Sequence, residues 1–148
     1  PVREAESLRQ LYQPVPADKI DSKRVVQENA QAVEIQLRWD CQKSHAEHYG
    51  LQLGTGMRLY IDNQSGRLVL WRYYPQENID GYRSIPLTQD EPLDLRIFID
   101  KSSIEVFIND GEAVMSSRIY PQPEERELSL YAAHGEATLL QGRLWLLG

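Results

Sequence analysis

The sequence predicts an all-β domain, a two-sheet antiparallel sandwich of the jelly-roll kind, preceded by a short helix or connector. Three observations predict it. Apolar residues alternate with polar ones in run after run, the period that puts side chains on opposite faces of a strand. The runs recur every 8–12 residues or so, separated by Gly, Asn and Pro turns. No long segment after residue 30 carries the three-to-four spacing of an amphipathic helix. About nine strands are expected, with the connector over 1–22 and the sandwich over 23–148.

The elements follow in order. Val2, Ala5, Leu8 and Leu11 stand near helical spacing, so Pro1–Tyr12 reads as a short amphipathic helix or ordered connector, ended by Pro14 and Pro16. Asp18–Gln27 is polar and reads as irregular. Val33, Ile35, Leu37 and Trp39 alternate with Glu34, Gln36, Arg38 and Asp40, a half-buried strand, and a loop follows to His48. Tyr49–Leu53 and Met57–Ile61 flank Gly54-Thr55-Gly56 as a hairpin, and Asn63–Gly66 turns the chain into Arg67–Tyr74. Pro75–Gly81 reads as a loop, and Tyr82–Leu87 as an edge strand because it contains Pro86. A loop over Pro121–Glu125, a strand over Glu127–Ala133 and a last one over Ala137–Leu147 close the chain.

Leu95–Arg118 reads as a three-stranded meander whose register can be derived. Pairing Ile99 with Ile104 sets Ile97 against Val106, Leu95 against Ile108, Phe98 against Glu105 and Arg96 against Phe107. A two-residue Asp110-Gly111 turn then sets Ile108 against Ala113, Phe107 against Val114 and Val106 against Met115. One face is an aliphatic core. The other carries Arg96, Phe98, Glu105, Phe107 and Val114, too apolar for a fully solvated surface. A loop, the connector or another domain is expected to cover it, with Glu105 paired to Arg96.

Length and charge bound the function. At 148 residues one domain is expected, able to bury roughly 70% of its unfolded surface without disulfides. The net charge of −6 argues against nucleic acid and anionic membranes, which need clustered Lys and Arg. Mean hydropathy is −0.52, and no apolar run approaches the ~20 residues of a membrane span. A single cysteine, Cys41, gives no sign of an oxidising compartment, so a cytoplasmic location is expected. The start at Pro1, without Met, suggests a piece of a longer polypeptide.

Each chemistry-bearing residue has a plainer role. A retaining glycosidase needs two carboxyl groups about 5 Å apart. Asp100, Glu105, Asp110 and Glu112 instead read as turn and ion-pair residues. His45, His48 and His134 read as loop histidines rather than zinc ligands, and Cys41 lacks a basic neighbourhood to make it a nucleophile. Ser102-Ser103 and Ser116-Ser117 lack a nucleophile elbow, and no phosphate-binding glycine loop is present. No catalytic residue, metal or cofactor is therefore expected. Trp39 and Trp145 alternate with aliphatics and read as core. Trp71 and Tyr73 lie where alternation breaks, so they are candidates for contact with a sugar or a partner, because an aromatic plane packs against the apolar face of a sugar ring.

Residues 95–121, LRIFIDKSSIEVFINDGEAVMSSRIYP, resemble the C-terminal region of the invertase family of glycoside hydrolases, family 32. Arg83-Ser84-Ile85-Pro86-Leu87, Gly50-Leu51-Gln52-Leu53, Gly135-Glu136-Ala137 and Leu144-Trp145-Leu146-Leu147 fit the same family, so the resemblance covers most of 30–148. Lys101 replaces a usual Arg, and Trp71 a common Asp. The resemblance implies a two-domain β-fructofuranosidase acting on sucrose or its 6-phosphate, with an N-terminal catalytic propeller carrying N-D-P, R-D-P and E-C motifs. None of the three occurs here. It therefore implies a non-catalytic sandwich whose Arg96, Phe98, Glu105 and Phe107 face packs on that propeller, or which forms a homodimer. A free-standing lectin-like, concanavalin-type module that binds carbohydrate through Trp71 and Tyr73 is the alternative.

Overall fold

A computed structural model describes residues 6–148. The strands are β1 (Arg9–Val15), β2 (Asp18–Ile20), β3 (Arg24–Gln27), β4 (Val33–Asp40), β5 (His48–Leu53), β6 (Met57–Asp62), β7 (Arg67–Tyr74), β8 (Ile79–Pro86), β9 (Leu93–Ile99), β10 (Ser103–Ile108), β11 (Ala113–Arg118), β12 (Leu128–Ala133) and β13 (Ala137–Leu147). Single 3-10 turns lie at Cys41–Lys43 and Pro75–Glu77. One sheet runs β1-β13-β4-β9-β10-β11, with β2 also on β13; the other runs β3-β12-β5-β6-β7-β8. The core lies between them. Ile35, Leu37 and Trp39 of β4 and Leu95, Ile97 and Ile99 of β9 face Tyr49, Leu51 and Leu53 of β5 and Met57, Leu59 and Ile61 of β6, all buried. The chain is an antiparallel β-sandwich, as the alternation predicts.

The meander has the derived register at every pair, Ile99 with Ile104 through Ile108 with Ala113. Its second turn differs. It is a four-residue loop, Asn109–Glu112, in which Asn109, Asp110 and Gly111 all have positive φ. The Asn109 side chain accepts from the Asp94 backbone N–H at 3.0 Å and so closes the loop onto β9.

Three expectations fail for identifiable reasons. The described part of Pro1–Tyr12 is not an amphipathic helix: residues 6–7 are helical, but Arg9–Val15 is a strand paired with β13. The eleven-residue β13 offers more edge than β4 alone covers, and an unpaired edge draws in extended chain. Pro14 fits because β1 is itself the sheet edge. Asp18–Gln27 is not irregular either, since it holds β2 and β3, paired with β13 and β12. Residues 9–20, assigned by sequence to a connector, are thus hydrogen-bonded into the sheet. Finally, Trp145 is not core. The pairing of β13 with β4 shifts between Leu139 and Gln141, and such an irregularity reverses which side chains face inward. Leu139 and Leu144 are buried, whereas Trp145 is half-buried on the outer face beneath the Arg9 guanidinium, 3.8 Å from the ring centroid.

At Gly50 of β5, a Cβ would overlap the Leu59 carbonyl oxygen and lie 2.8 Å from Tyr60 Cα. A Gly50→Ala variant is expected to lose about 1–3 kcal/mol, the usual cost of overpacking. Urea unfolding tests this; an unchanged midpoint would show that the β5–β6 pair relaxes freely.

Candidate functional site

The outer face of the seven-stranded sheet is an ordered grid. Across it, Arg143, Gln36, Arg96 and Phe107 align in one row, and Trp145, Glu34, Phe98 and Glu105 in the next. Phe98 and Phe107 meet edge-to-face, 5.8 Å between centroids, and both are half-buried. Val114 beside them is exposed. An open groove of about 370 Å³ runs along this face past Arg38, Arg96, Phe107 and Arg143. The four residues singled out by sequence thus share one patch.

Their electrostatics differ from expectation in one respect. Arg96 pairs with Glu34, Nε to Oε2 at 3.3 Å, not with Glu105, which is exposed. Glu34 and Glu105 both oppose Phe98, one on each side, so both lie one diagonal step from Arg96. The guanidinium turns to the carboxylate shielded from water, where attraction is stronger. Glu34 has no exposed surface, yet it is charged. Burial pushes its pKa up, but hydrogen bonds from Arg9 and Gln36 and the charges of Arg9 and Arg96 outweigh that and hold it below the usual carboxylate range. Arg9 and Glu6 come from the N-terminal segment, which therefore covers part of this face. Sequence reading missed Glu34, because a lone Glu in an alternating strand looks solvated.

On the other sheet, Trp71 and Tyr73 lie on the outer face of β7, rings nearly parallel at 16° with centroids 6.4 Å apart. Tyr82 stands across from Trp71 on β8 and is 68% exposed. The Arg58 guanidinium lies between Trp71 and Tyr131, 6.0 and 5.3 Å from their centroids. The two expected contact residues do come together.

The remaining candidates are placed plainly. Asp100 accepts from the Ser102 and Ser103 backbone N–H groups at 2.8 and 2.7 Å, a turn role. Asp110 lies in the positive-φ loop, and Glu112 is exposed at its end. Cys41 is buried, and burial pushes its thiol pKa up, away from the reactive thiolate. His48 Nδ1 lies 2.9 Å from the Tyr131 hydroxyl, and burial with the nearby Arg58 charge lowers its pKa. Among the described residues, no group of three or more His, Cys, Asp or Glu is placed to hold a metal ion. None of their helices is long and apolar enough to cross a membrane.

Comparison with known proteins decides the family. The profile for the glycosyl hydrolases family 32 C-terminal domain matches residues 4–145. The chain belongs to that family. This family 32 C-terminal domain is 75% identical over 148 residues to a sucrose-6-phosphate hydrolase of Escherichia coli, covering all of this chain and 31% of that protein. It is 58% identical over 147 residues to a raffinose invertase of Escherichia coli, again covering 31% of the relative. The chain thus spans about 31% of the length of these relatives. Among solved structures, an exo-inulinase from Aspergillus awamori superposes with a TM-score of 0.79 at 18% identity, over 97% of this chain and 31% of that one. A sucrose-6-phosphate hydrolase from Lactobacillus gasseri gives 0.68 at 23% identity, over 98% and 30%. These two likenesses speak for the fold.

Proposed function

We propose that this family 32 C-terminal domain serves as the non-catalytic sandwich of a sucrose-cleaving retaining β-fructofuranosidase, docking on and stabilising a catalytic propeller of the same polypeptide. One observation carries the reading: the chain matches the family's C-terminal domain and 31% of enzymes named for sucrose 6-phosphate and raffinose, while the N-D-P, R-D-P and E-C motifs of the catalytic propeller do not occur in its sequence. The docking face in this reading is the patch of Arg96, Phe98, Glu105 and Phe107. It offers half-buried aromatics, an exposed Val114 and a groove, the apolar centre and polar rim of an interdomain contact. A homodimer through the same patch is the second way to cover it. A cytoplasmic setting fits the lone buried, unbridged Cys41.

The experiment combines this chain with the separately produced remainder of the Escherichia coli sucrose-6-phosphate hydrolase. The chain alone is expected to release no fructose from sucrose or its 6-phosphate. Added to the remainder, it should raise that part's melting temperature and residual activity. Phe107→Ala is expected to weaken this stabilisation roughly tenfold in apparent affinity, with KM unchanged. Fructose release by the chain alone, or a wild-type effect from Phe107→Ala, would overturn the reading. Sedimentation of the chain alone distinguishes the homodimer.

A further inference from the structure

The docking reading leaves unused an aromatic basin on the opposite sheet. It lies where β7 runs into the Pro75–Glu77 turn and meets the segment after β11, has a volume of about 280 Å³, and is lined by Tyr73, Tyr74, Tyr120, Gln76, Glu77 and Gln122 among others. We propose that this basin binds the ring of a neutral saccharide.

Three observations converge on it. First, the walls are aromatic and differently inclined. Tyr74 and Tyr120 meet edge-to-face at 6.0 Å, while Tyr73 is 47% exposed and continues the flat Trp71 platform. Such planes pack against the C–H face of a sugar ring. Second, Tyr74 is only 7% exposed, so its ring is a buried wall of the basin. Burial pushes this phenol up to about 12, so it stays neutral. Gly56 makes the arrangement possible, since a Cβ there would overlap the Tyr74 ring. Third, the rim is made of amides and carboxylates rather than cations. Glu125 is already held by the Thr55 N–H and hydroxyl, both at 3.0 Å, which leaves Gln76, Glu77 and Gln122 to meet ligand hydroxyls. A carboxylate rim favours polyhydroxyl ligands and repels phosphate, and the volume suits one or two rings, at the small end of ligand pockets.

The proposal stands apart from the docking reading and is tested on the 148-residue chain itself. Sucrose and raffinose are titrated against it while amide NMR shifts are followed, with acyclic sorbitol as the control. Saturable shifts are expected at residues 71–77 and 120–125 with both sugars and not with sorbitol. Tyr73→Ala, an exposed position whose loss leaves the fold intact, should weaken binding about tenfold. No saturable shift in the wild type, an equal response to sorbitol, or unchanged affinity in Tyr73→Ala would overturn it.

Discussion

Replacing Arg126 by Ala is expected to lower stability by about 3 kcal/mol or more, the largest loss from any single polar side chain in this domain. Arg126 lies between β11 and β12, only 4% exposed. Among the described residues no carboxylate forms a salt bridge with it. Its guanidinium instead donates to four backbone carbonyls: Nε to Ala30 at 2.6 Å, Nη2 to Asp100 at 2.8 Å and to Gln31 at 3.3 Å, and Nη1 to Lys101 at 3.4 Å. Ala30-Gln31 joins β3 to β4 and Asp100-Lys101 joins β9 to β10, so one side chain ties together three connections at one end of the sandwich. Removing it strips the donor from the carbonyl of the buried Ala30 and from those of Gln31, Asp100 and Lys101 nearer the surface, and a shielded acceptor left unpaired costs more than its bond contributed. For a domain of this size the melting temperature should fall by roughly 6–12 °C. Arg126→Lys should recover only part, because an ammonium cannot present a planar fork to carbonyls on two sides. The penalty should be flat from about pH 5 to about pH 9, since a guanidinium stays charged throughout. A loss within about 0.5 kcal/mol, typical of surface changes, would mean that water takes over the carbonyls.

No local pattern announces Arg126. It stands in a Pro- and Glu-rich loop without periodicity, and its partners lie up to 96 residues away in sequence. The meander is the opposite case. There the inward face is apolar from Leu95 through Met115, and a slip of one residue would bury Arg96 and Glu105, so the register follows from alternation alone. The first three strands escape notice because they lie at or near sheet edges and carry solvated side chains, such as Leu11 and Val25; pairing, not burial, makes them strands. Trp145 shows the limit of alternation: one irregularity near Leu140 inverts the facing of everything after it. The candidate sites divide in the same way. Trp71 and Tyr73 are two apart on one strand, and period two brings their rings together. Tyr120 joins the basin from a loop, and only the fold supplies that neighbour.

Glu34→Gln should be the second most damaging polar change, costing about 2–4 kcal/mol near neutrality, because it leaves two guanidinium groups facing a neutral amide. In the wild type the carboxylate takes a bidentate fork from Arg9, 2.8 Å to Oε1 and 2.7 Å to Oε2, with Gln36 at 3.0 Å and Arg96 at 3.3 Å. Arg9 belongs to β1, whose Leu11 and Tyr12 are largely exposed, so this pair and the Trp145 stack add to the β13 backbone ladder in holding the strand's start on the sheet. Amide exchange across Arg9–Val15 should therefore accelerate in the variant while β9 and β10 stay protected. The dependence on pH has a definite sign. The folded carboxyl titrates below its unfolded counterpart, so its contribution is fully present above the unfolded value of about 4.3 and is lost as pH falls through the folded value. Wild type and Glu34→Gln should differ by a constant amount from about pH 6 to about pH 8 and converge in acid below about pH 4. The gap should also respond weakly to salt, because the pair is shielded from the counterions that screen surface charges. A gap that persists unchanged to the acid limit would assign the effect of Glu34 to its shape and not its charge, and the start of β1 would then be held by the β13 ladder and Trp145.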